Sequence, residues 1–492
     1  MQLLGIDLGS SSVKASIIDG ETGKCLATAF YPEKEMEIIA HKPGWAEQEP
    51  DTWWKNLKAA INNCIKQPGV KKEKIAAIGI SYQMHGLVIV DKDKKALRPS
   101  IIWCDSRAVP YGEKALNAIG KDFCLKHLLN SPGNFTAAKL AWVKENEPEI
   151  FKKIFKIMLP GDYIAMRMTG EIKTTFTGLS EGIFWDFMNE GVSKELLSHF
   201  GFDISLIPEA TGSFAVSGTL NSSAADELGL PSGIPVAYKA GDQPNNALSL
   251  NVLSPGEVAA TAGTSGVIYG VTDVKKCDPQ SRVNTFLHVN HGKDKTRLGV
   301  LLCINGTGIL NSWIKRHAGN NLSYSEMNDQ AASVVPGSNG LFILPFGNGA
   351  ERMLNNRDIG SRIIGLNFNT HSYPHLFRAT QEGIAFSFRY GLDIMKETGI
   401  VPEVMRAGKA NMFLSGVFRE VLSTITRTPI QLYNTDGSIG AARGAGIGCG
   451  YYKSEKEAFS GLSEVGMTEP DVKKTAQYDE VYAKWKELLL AV

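Results

Sequence analysis

Apolar residues occur in short runs over the first thirty positions. LLGID, SVKASIID and CLATAF are rich in β-forming residues, and a Gly-Ser turn at 9–12 and a polar turn at 19–23 separate them. Runs divided in this way predict a meander of three strands. DTWWKNLKAAINNCIK then has helical periodicity, and IAAIGIS and GLVIVD return to strand patterns. Mixed strands and helices predict an α/β layer architecture.

The end of the chain repeats apolar side chains at three- and four-residue spacing, which predicts an amphipathic C-terminal helix. These side chains are Tyr478, Val481, Tyr482, Trp485, Leu488 and Leu489. A chain of 492 residues has room for two large domains or three small ones.

Charge and cysteine spacing narrow the class of partner. Lys+Arg 52 against Asp+Glu 51 gives a net charge of +1, so no global field attracts nucleic acid or an anionic membrane. The seven cysteines form no CxxC pair, which is typical of a reducing compartment. No run reaches the roughly 18 apolar residues of a membrane span, and the N-terminus lacks a signal-peptide pattern. We expect a cytoplasmic protein with small-molecule partners.

Two segments of the chain resemble each other. Residues 9–19 read GSSSVKASIID and residues 263–273 read GTSGVIYGVTD, and each copy follows one apolar strand pattern and precedes another. The repeat predicts two related halves, each with a tight Gly/Ser/Thr turn between two strands. Two such turns facing each other could hold one polyanion. The alternative interpretation is a pair of ordinary hairpins.

The same turns are candidate phosphate sites. The chain contains neither GxxxxGK[ST] nor a GxGxxG that opens a helix after a strand, so the common nucleotide motifs are excluded. Backbone N–H groups and hydroxyls of a Gly/Ser/Thr turn can still bind phosphate. Asp7 ends the first apolar strand directly before the turn, where a carboxylate is well placed to hold hydrated Mg²⁺. A structural role for Asp7 is the alternative.

Asp242 is a second acidic candidate, in AYKAGDQPNNALSL at the end of another predicted strand. A carboxylate there could accept the proton of a hydroxyl during phosphoryl transfer. It could equally cap the helix that follows.

Three weaker patterns have simpler interpretations. The pairs His288/His291 and His371/His375 lack the companion ligands that a zinc site requires. The four-residue spacing of Gly440, Gly444 and Gly448 predicts a helix packed closely against another backbone, with a domain hinge as one setting. RAGKANMF is a Gly/Ala-rich bend that would suit a flat nucleoside or a plain turn.

Eleven motifs in a fixed order resemble the FGGY family of carbohydrate kinases over nearly the whole chain. They are GIDLGSSSVKASIID, PGWAEQEPDTWW, ISYQMHG, PSIIWCDSRA, FTAAKLAWVKENEPEIF, LPGDYIAMRMTGE, GDQPNNA, TAGTSGVIYG, LPFGNGAER, RATQEGIAF and GSIGAARGA.

The resemblance implies two ribonuclease H-like (actin-like ATPase) domains with an interdomain cleft. We expect a sugar-binding domain at 1–248 and a nucleotide-binding domain at 249–492, with a final helix at about 471–492 that could pack back on the first domain. ATP and Mg²⁺ are the implied cofactors. Both a monomer and a homodimer remain open.

Residue roles follow from the resemblance position by position. Asp242 matches the proton acceptor, and Asp7 matches the acidic residue near Mg²⁺. Sugar contacts are implied for Met84, His85, Trp103, Asp105, Asp242 and Gln243. Nucleotide contacts are implied for Ser10, Ser11, Ser12, Gly263, Thr264, Ser265, Gly308, Gly408 and Asn411.

Two positions depart from the family pattern. Gln243 stands where many members have Asn, and the segment that usually reads GGGAR followed by Ser is RAGKAN here. The second departure places Arg406 and Ala407 where glycines would allow close contact with the nucleoside, and it leaves nucleotide preference open.

The implied reaction is ATP-dependent phosphorylation of a ketopentose, with D-xylulose as the first choice. Ribulose, gluconate and glycerol are alternative acceptors within the family, although Met84-His85 differs from the Arg-Glu pair of glycerol kinases. The alternative from another functional class is an actin-like ATPase switch without a sugar acceptor. Such a switch would give no role to Asp242 or Trp103.

Overall fold

The computed structural model describes all residues from Met1 to Val492 and divides into two compact units. Unit 1 comprises Met1–Asn251, Phe286–Leu298 and Thr435–Leu462, and unit 2 comprises Val252–Thr285, Gly299–Asn434 and Ser463–Val492. These bounds differ from the expected division at 248/249 because two later segments return to unit 1. None of the helices combines the length and apolar character needed to cross a membrane.

Strands and helices alternate along the chain. The strands are β1 (Gln2–Leu8), β2 (Val13–Asp19), β3 (Cys25–Tyr31), β4 (Glu47–Gln48), β5 (Ile75–Tyr82), β6 (Val88–Val90), β7 (Ser100–Ile101), β8 (Lys156–Met158), β9 (Lys173–Thr175), β10 (Trp185–Asp186), β11 (Gly191–Val192), β12 (Glu209–Thr211), β13 (Gly218–Thr219), β14 (Pro235–Gly241), β15 (Glu257–Ala262), β16 (Gly266–Thr272), β17 (Asn284–Leu287), β18 (Leu298–Ile304), β19 (Phe342–Leu344), β20 (Arg362–Ile364), β21 (Val404–Gly408), β22 (Ile430–Tyr433) and β23 (Glu464–Thr468). The helices are α1 (Pro50–Ile65), α2 (Val109–Ile119), α3 (Lys121–Phe123), α4 (Thr136–Asn146), α5 (Pro148–Phe151), α6 (Pro160–Thr169), α7 (Phe176–Glu181), α8 (Lys194–Phe200), α9 (Ser222–Leu228), α10 (Asp242–Ser249), α11 (Gly308–Ala318), α12 (Tyr324–Ala332), α13 (Tyr373–Lys396), α14 (Gly416–Thr426), α15 (Gly437–Gly448), α16 (Glu455–Ala458) and α17 (Thr475–Leu490).

Unit 1 is built on a six-stranded sheet in the order β13-β14-β5-β1-β2-β3. Strands β1, β5 and β14 are mutually parallel, with Asp7 opposite Ser81 and Gly241 opposite Tyr82. The carboxyl ends of three strands therefore meet at one edge of the sheet. This edge carries Asp7, the loop after Tyr82, and Asp242.

Unit 2 is built on a seven-stranded sheet in the order β17-β18-β16-β15-β21-β22-β23. Strands β15 and β16 form an antiparallel hairpin, and β15 is parallel to β21, just as the β1–β2 hairpin is parallel to β5. The predicted repeat is confirmed as two hairpins with the same strand pairing. The mixed sheets also agree with the predicted α/β fold class.

Helix α15 packs against the sheet of unit 1 with almost no space between the backbones. A Cβ atom at Gly448 would lie 1.8 Å from the Ala237 carbonyl oxygen, and one at Gly440 would lie 2.5 Å from the Ser249 Cβ. On the sheet side, a Cβ at Gly5 would lie 1.8 Å from the Ser438 carbonyl oxygen. The predicted close packing of this glycine-rich helix is confirmed.

The C-terminal helix α17 belongs to unit 2 and packs in its core, which differs from the expected option of packing on the first domain. Tyr478 and Trp485 are fully buried in the core of unit 2, and the Trp485 indole N–H donates to the Ile343 carbonyl oxygen at 2.8 Å. Periodicity predicts that one face of α17 is buried, but it does not identify the elements against which that face packs.

Candidate active site

Three carboxylates belong to one end of the unit 1 sheet. Asp7 is the second-last residue of β1, Asp242 begins α10, and Asp436 precedes α15. The Asp7 Oδ1 accepts a hydrogen bond from the Ser81 hydroxyl at 2.8 Å. A Cβ atom at position 437 would lie 2.5 Å from the Asp7 Oδ2, so glycine there lets α15 approach the carboxylate.

Asp436 is a functional candidate that the sequence analysis missed. Its Oδ1 accepts from the Ile439 N–H at 3.0 Å, and its Oδ2 pairs with the Lys14 ammonium at 2.5 Å. The signal was present in DGSIG, since an Asp before a helical segment is a common N-cap pattern.

Burial and mutual repulsion raise the pKa values of two of these carboxyls. The pKa of Asp242 is raised to about 7, by burial first and by Asp7 second. Burial, and to a smaller extent Asp436, also raise the pKa of Asp7. Burial acts on Asp436 in the same direction, but Lys14 and the N-cap hydrogen bonds lower its pKa overall.

The residues around Asp7 fit a hydrated divalent cation. A bound cation relieves the repulsion between neighbouring carboxylates. No group of three or more His, Cys, Asp or Glu side chains could hold a metal ion by itself. Mg²⁺ usually keeps several waters and binds through one or two carboxylates and substrate phosphates, so a single carboxylate such as Asp7 suffices.

The first Gly/Ser turn lies beside these carboxylates at the end of β1. The Gly9 N–H donates to the Ser12 carbonyl oxygen at 3.1 Å, which closes the turn. The Ser10 carbonyl accepts from the Gln48 amide at 2.7 Å, and the Trp103 indole N–H donates to the Ser10 hydroxyl at 3.4 Å. Trp103 is 52% exposed, which leaves most of its ring available to a ligand.

Met84 and His85 lie on the loop between β5 and β6 at the same sheet edge. His85 has a φ of +63°, in the left-handed region that non-glycine residues rarely adopt. Its ring lies against Phe135 and Phe286, with centroid distances of 4.9 and 5.4 Å. Met84 is buried, and its Sδ would lie 3.2 Å from a Cβ at Gly241. The predicted sugar pair therefore lies next to the residue that precedes Asp242.

Two buried charged residues contact this loop and were not found from the sequence. The Lys139 ammonium donates to the carbonyl oxygens of His85 at 2.8 Å and Ile102 at 3.0 Å, and burial lowers its pKa to about 7. Burial, and more weakly Asp242, raise the pKa of Glu181 well above its ordinary value. A lysine inside the apolar run of FTAAKLAW was a usable signal, whereas nothing in GLSEG distinguishes Glu181.

Asp105 lies in a different environment from the other predicted sugar contacts. It is fully buried, and its Oδ2 accepts from the Ala46 N–H at 2.6 Å and from the Arg107 guanidinium at 2.7 Å. These contacts favour a structural role for Asp105. Gln243 donates to the Asp242 Oδ2 at 3.3 Å, so it does neighbour the proposed base.

Unit 2 contains a cavity of about 590 Å³ beside its own hairpin turn. Among the predicted nucleotide residues, Gly263, Thr264, Gly308 and Asn411 line the cavity. Ser265 and Gly408 are not among its lining residues. Arg316, Tyr324 and Asn328 also line it and were missed, because they come from α11 and α12, whose sequences carry no motif.

Gly308 lets α11 approach the hairpin turn closely. Its N–H donates to the Gly263 carbonyl oxygen at 2.9 Å, and the next residue, Ile309, donates to the Thr264 carbonyl at 3.0 Å. A Cβ at Gly308 would lie 2.2 Å from the Gly263 oxygen. The turn and the helix start therefore form one wall of the cavity.

The departure at Arg406 and Ala407 lies outside the cavity. The Arg406 guanidinium pairs with Glu257 at 3.0 Å and donates to the Gln431 side chain at 3.1 Å, while Ala407 is buried in the core of unit 2. Of the two histidine pairs, His288 is buried, and His371 and His375 lie side by side near Asn339.

Comparison with known families agrees with this arrangement. The model of the FGGY family N-terminal domain matches residues 2–249, and the model of its C-terminal domain matches residues 258–449. The chain belongs to the FGGY family of carbohydrate kinases. The predicted membership is confirmed, and with it a kinase that acts on carbohydrates and uses ATP.

Individual FGGY relatives extend over nearly the whole chain. The chain is 29% identical to the xylulose kinase of Bacillus subtilis over 499 residues, which cover 99% of this chain and 96% of that protein. It is 29% identical to the xylulose kinase of Lactococcus lactis over 508 residues, with the same coverage of 99% and 96%.

Solved FGGY structures have the same fold. The structure of xylulose kinase from Rhodospirillum rubrum matches with a TM-score of 0.89 at 26% identity, covering 100% of this chain and 99% of that one. Glycerol kinase from Plasmodium falciparum matches with a TM-score of 0.87 at 23% identity, covering 99% of this chain and 97% of that one. The predicted ribonuclease H-like (actin-like ATPase) fold class is confirmed.

Proposed function

We propose that this FGGY kinase transfers the γ-phosphoryl group of ATP to the 5-hydroxyl of D-xylulose and forms D-xylulose 5-phosphate, in the cytoplasm. The observation that carries the proposal is the edge of the unit 1 sheet, where half-buried Asp242 follows Gly241, which lies against Met84, and where Asp7 repels the Asp242 carboxylate. The names of relatives aligned over nearly the full length favour xylulose as the acceptor.

Asp242 is the proposed base. Its carboxylate would accept a hydrogen bond from the attacking hydroxyl, orient it, and take its proton as the new P–O bond forms. A pKa of about 7 suits this role, because the group is ionised in much of the population near neutral pH and still basic enough to accept a proton. The bond between the γ-phosphorus and the ADP oxygen breaks while the sugar oxygen bonds to that phosphorus, and ADP is the leaving group.

The nucleotide is assigned to the cavity of unit 2. Gly263, Thr264 and Gly308 present backbone groups and a hydroxyl on one wall, as phosphate recognition by a Gly/Ser/Thr turn requires. Asn411 and Tyr324 line the same cavity and are available to the nucleoside. Asp7 would hold Mg²⁺ through its waters, and the ion would neutralise phosphate charge.

The sugar is assigned to unit 1. Met84 and His85 supply one apolar and one polar contact, and the exposed ring of Trp103 supplies a flat surface near Ser10. The aromatic rings of Phe135 and Phe286 bound the His85 side chain and keep it in place. Such a mixture of a few polar groups with apolar walls is typical of small-molecule sites.

A substrate panel tests the proposal. Purified protein with ATP and Mg²⁺ is incubated with D-xylulose, D-ribulose, gluconate, glycerol or no acceptor, and ADP release is followed. We expect the highest kcat/KM with D-xylulose, and phosphorus coupling at carbon 5 in the NMR spectrum of the product. Faster turnover of another acceptor would reassign the substrate, and equal ADP release without any acceptor would favour the ATPase switch.

A further inference from the structure

Glu181 is a buried carboxyl group to which the proposed mechanism gives no role. It is the last residue of α7, and its side chain is 1% exposed. Removing a carboxyl group from water costs free energy unless hydrogen bonds or charges replace the lost hydration. The contacts of its two oxygens therefore indicate why it is there.

The first oxygen and the backbone carbonyl of Glu181 hold His85. The Glu181 Oε1 accepts from the His85 backbone N–H at 3.3 Å, and the Glu181 carbonyl oxygen lies 2.9 Å from the His85 Nδ1. A carbonyl oxygen can only accept, so Nδ1 carries the proton and Nε2 is the acceptor of the neutral ring. Glu181 thus fixes both the left-handed backbone and the tautomer of a predicted sugar contact.

The same loop is fixed from its other side by Lys139. Its ammonium donates to the His85 carbonyl and also to the Ile102 carbonyl, next to Trp103. The loop with the Met84–His85 pair and the loop with Trp103 are therefore joined through one buried side chain. His85 has little freedom to adapt, so the groups around it form a preorganised site.

The second oxygen of Glu181 points toward the start of α10. Oε2 accepts no hydrogen bond from the protein, and it would lie 2.5 Å from a Cβ at Gly241, the residue before Asp242. Met84 borders the same point, with its Cγ also 2.5 Å from that Cβ position. A carboxyl oxygen that no hydrogen bond of the protein engages, among the predicted sugar contacts, is a position that a ligand hydroxyl can satisfy.

We propose that Glu181 is a further sugar-contacting residue, whose Oε2 exchanges a hydrogen bond with one hydroxyl of the sugar while its other oxygens hold His85. This inference rests on the proposed function and deepens it. A hydroxyl both donates and accepts, so it pairs with Oε2 whether or not the carboxyl carries a proton. A site that contributes one specific hydrogen bond discriminates against a sugar that lacks the matching hydroxyl.

Two substitutions separate hydrogen bonding from packing. Glu181→Met has similar length and no hydrogen-bonding group, whereas Glu181→Gln can still accept from His85 and still hydrogen-bond at the second position. Asp186→Asn is the matched control, since it neutralises another buried carboxyl of unit 1 that contacts His127 and Asn189 instead. Each protein is assayed with D-xylulose and with its 1-, 3- and 4-deoxy analogues, and its sugar-independent ATP hydrolysis and Tm are recorded.

We expect Glu181→Met to lower kcat/KM for D-xylulose by roughly 10- to 100-fold, the usual effect of losing a hydrogen bond to a carboxyl group. For one deoxy analogue, which already lacks the hydroxyl, the same substitution should cost about 10-fold less than it does for D-xylulose, and the loss that remains reports the missing contact with the His85 N–H. Glu181→Gln should recover most of the loss, and Asp186→Asn should leave the selectivity among analogues unchanged.

Equal losses of Glu181→Met on all four sugars, or no loss on any, would overturn the inference and leave the proposed function in place. If Glu181→Met does not fold, the inference is tested by the Gln variant and by the selectivity of the wild type. A wild type with equal kcat/KM for all deoxy analogues also overturns the inference. A wild type that phosphorylates no ketopentose overturns the proposed function first, and this inference with it.

Discussion

The hairpin turns of unit 1 and unit 2 share their strand pairing but differ in their surroundings. Both follow a strand with a parallel neighbour, and both are rich in Gly, Ser and Thr. The turn of unit 1 follows Asp7, whose pKa is raised by burial and by Asp436. The turn of unit 2 borders a cavity of about 590 Å³ whose lining includes no carboxylate.

Under the proposed function, one local structure serves two kinds of chemistry. Backbone N–H groups and hydroxyls suit phosphate at either turn, but only unit 1 adds groups that can take up a proton or a cation. We therefore assign bond-making chemistry to the side chains of unit 1 and nucleotide binding to the cavity of unit 2.

The largest expected effect is the loss of the proposed base. Asp242→Asn should lower kcat by about 10²- to 10⁴-fold, because general-base catalysis typically contributes that much. The KM for ATP should change little, since the nucleotide cavity belongs to unit 2. Steady-state kinetics of ADP release measure both constants, and near-normal turnover would refute the assignment of the base.

A substitution of Asp105 tests whether this carboxylate of unit 1 has a structural role, in contrast to the catalytic role proposed for Asp242. Asp105→Asn should reduce the free energy of unfolding by about 2 kcal/mol, because it removes one of the two carboxylates that pair with the buried guanidinium of Arg107 and leaves only Glu47. Urea denaturation measures the loss. The KM for sugar of the folded protein should stay within about 3-fold of wild type; a larger rise without loss of stability would restore Asp105 as a sugar contact.

The wall of the unit 2 cavity is tested by adding one methyl group. Gly308→Ala places a Cβ 2.2 Å from the Gly263 oxygen, so the turn and α11 must separate. We expect the KM for ATP to rise roughly 10-fold, since displacements of this size misplace bound groups. Gly416→Ala is the control, because its Cβ meets no atom within 4 Å although the neighbouring Ser415 lines the cavity. An equal effect of both substitutions would contradict the assignment.

The smallest expected effect is on stability as a function of pH. The pKa of Asp242 is about 7 in the folded protein, against an ordinary value of 3.8. The folded state therefore keeps a proton that the unfolded state releases, so this group costs stability as pH rises from about 4 to about 7. Without Mg²⁺, the Tm of Asp242→Asn should increase relative to the wild-type Tm as the pH rises across this range. At higher pH the difference in Tm should stay constant. Parallel Tm curves from pH 4 to 8 would indicate that the folded carboxyl titrates normally.

The sequence predicted the framework of the site because its signals are local. A Gly/Ser turn after an apolar strand identifies Ser10, and a carboxylate at a strand end identifies Asp7 and Asp242. Glu181, Lys139 and Asp436 acquire their significance from residues about 50 to 420 positions away, through the contacts with His85 and Lys14. Motif spacing cannot reveal such contacts.

The differences between the expected and the observed arrangement have the same origin. Periodicity predicted α17 but not the elements that it covers. The family resemblance implied a single boundary at 248/249, whereas residues 286–298 and 435–462 return to unit 1 in the structure. The resemblance implied a sugar contact for Asp105, and the motif WCDSRA did not indicate that Asp105 is buried in an ion pair with Arg107, two positions away.

The proposed separation of sugar binding in unit 1 from nucleotide binding in unit 2 is tested most directly by calorimetric titration of two ligands into the wild type and two variants. D-xylulose and ADP with Mg²⁺ are titrated separately into wild type, Asp242→Asn and Gly308→Ala. The account predicts that Asp242→Asn binds ADP with wild-type affinity, and that Gly308→Ala loses ADP affinity about 10-fold but binds D-xylulose as wild type does. Loss of D-xylulose binding in Gly308→Ala, or loss of ADP binding in Asp242→Asn, would contradict it.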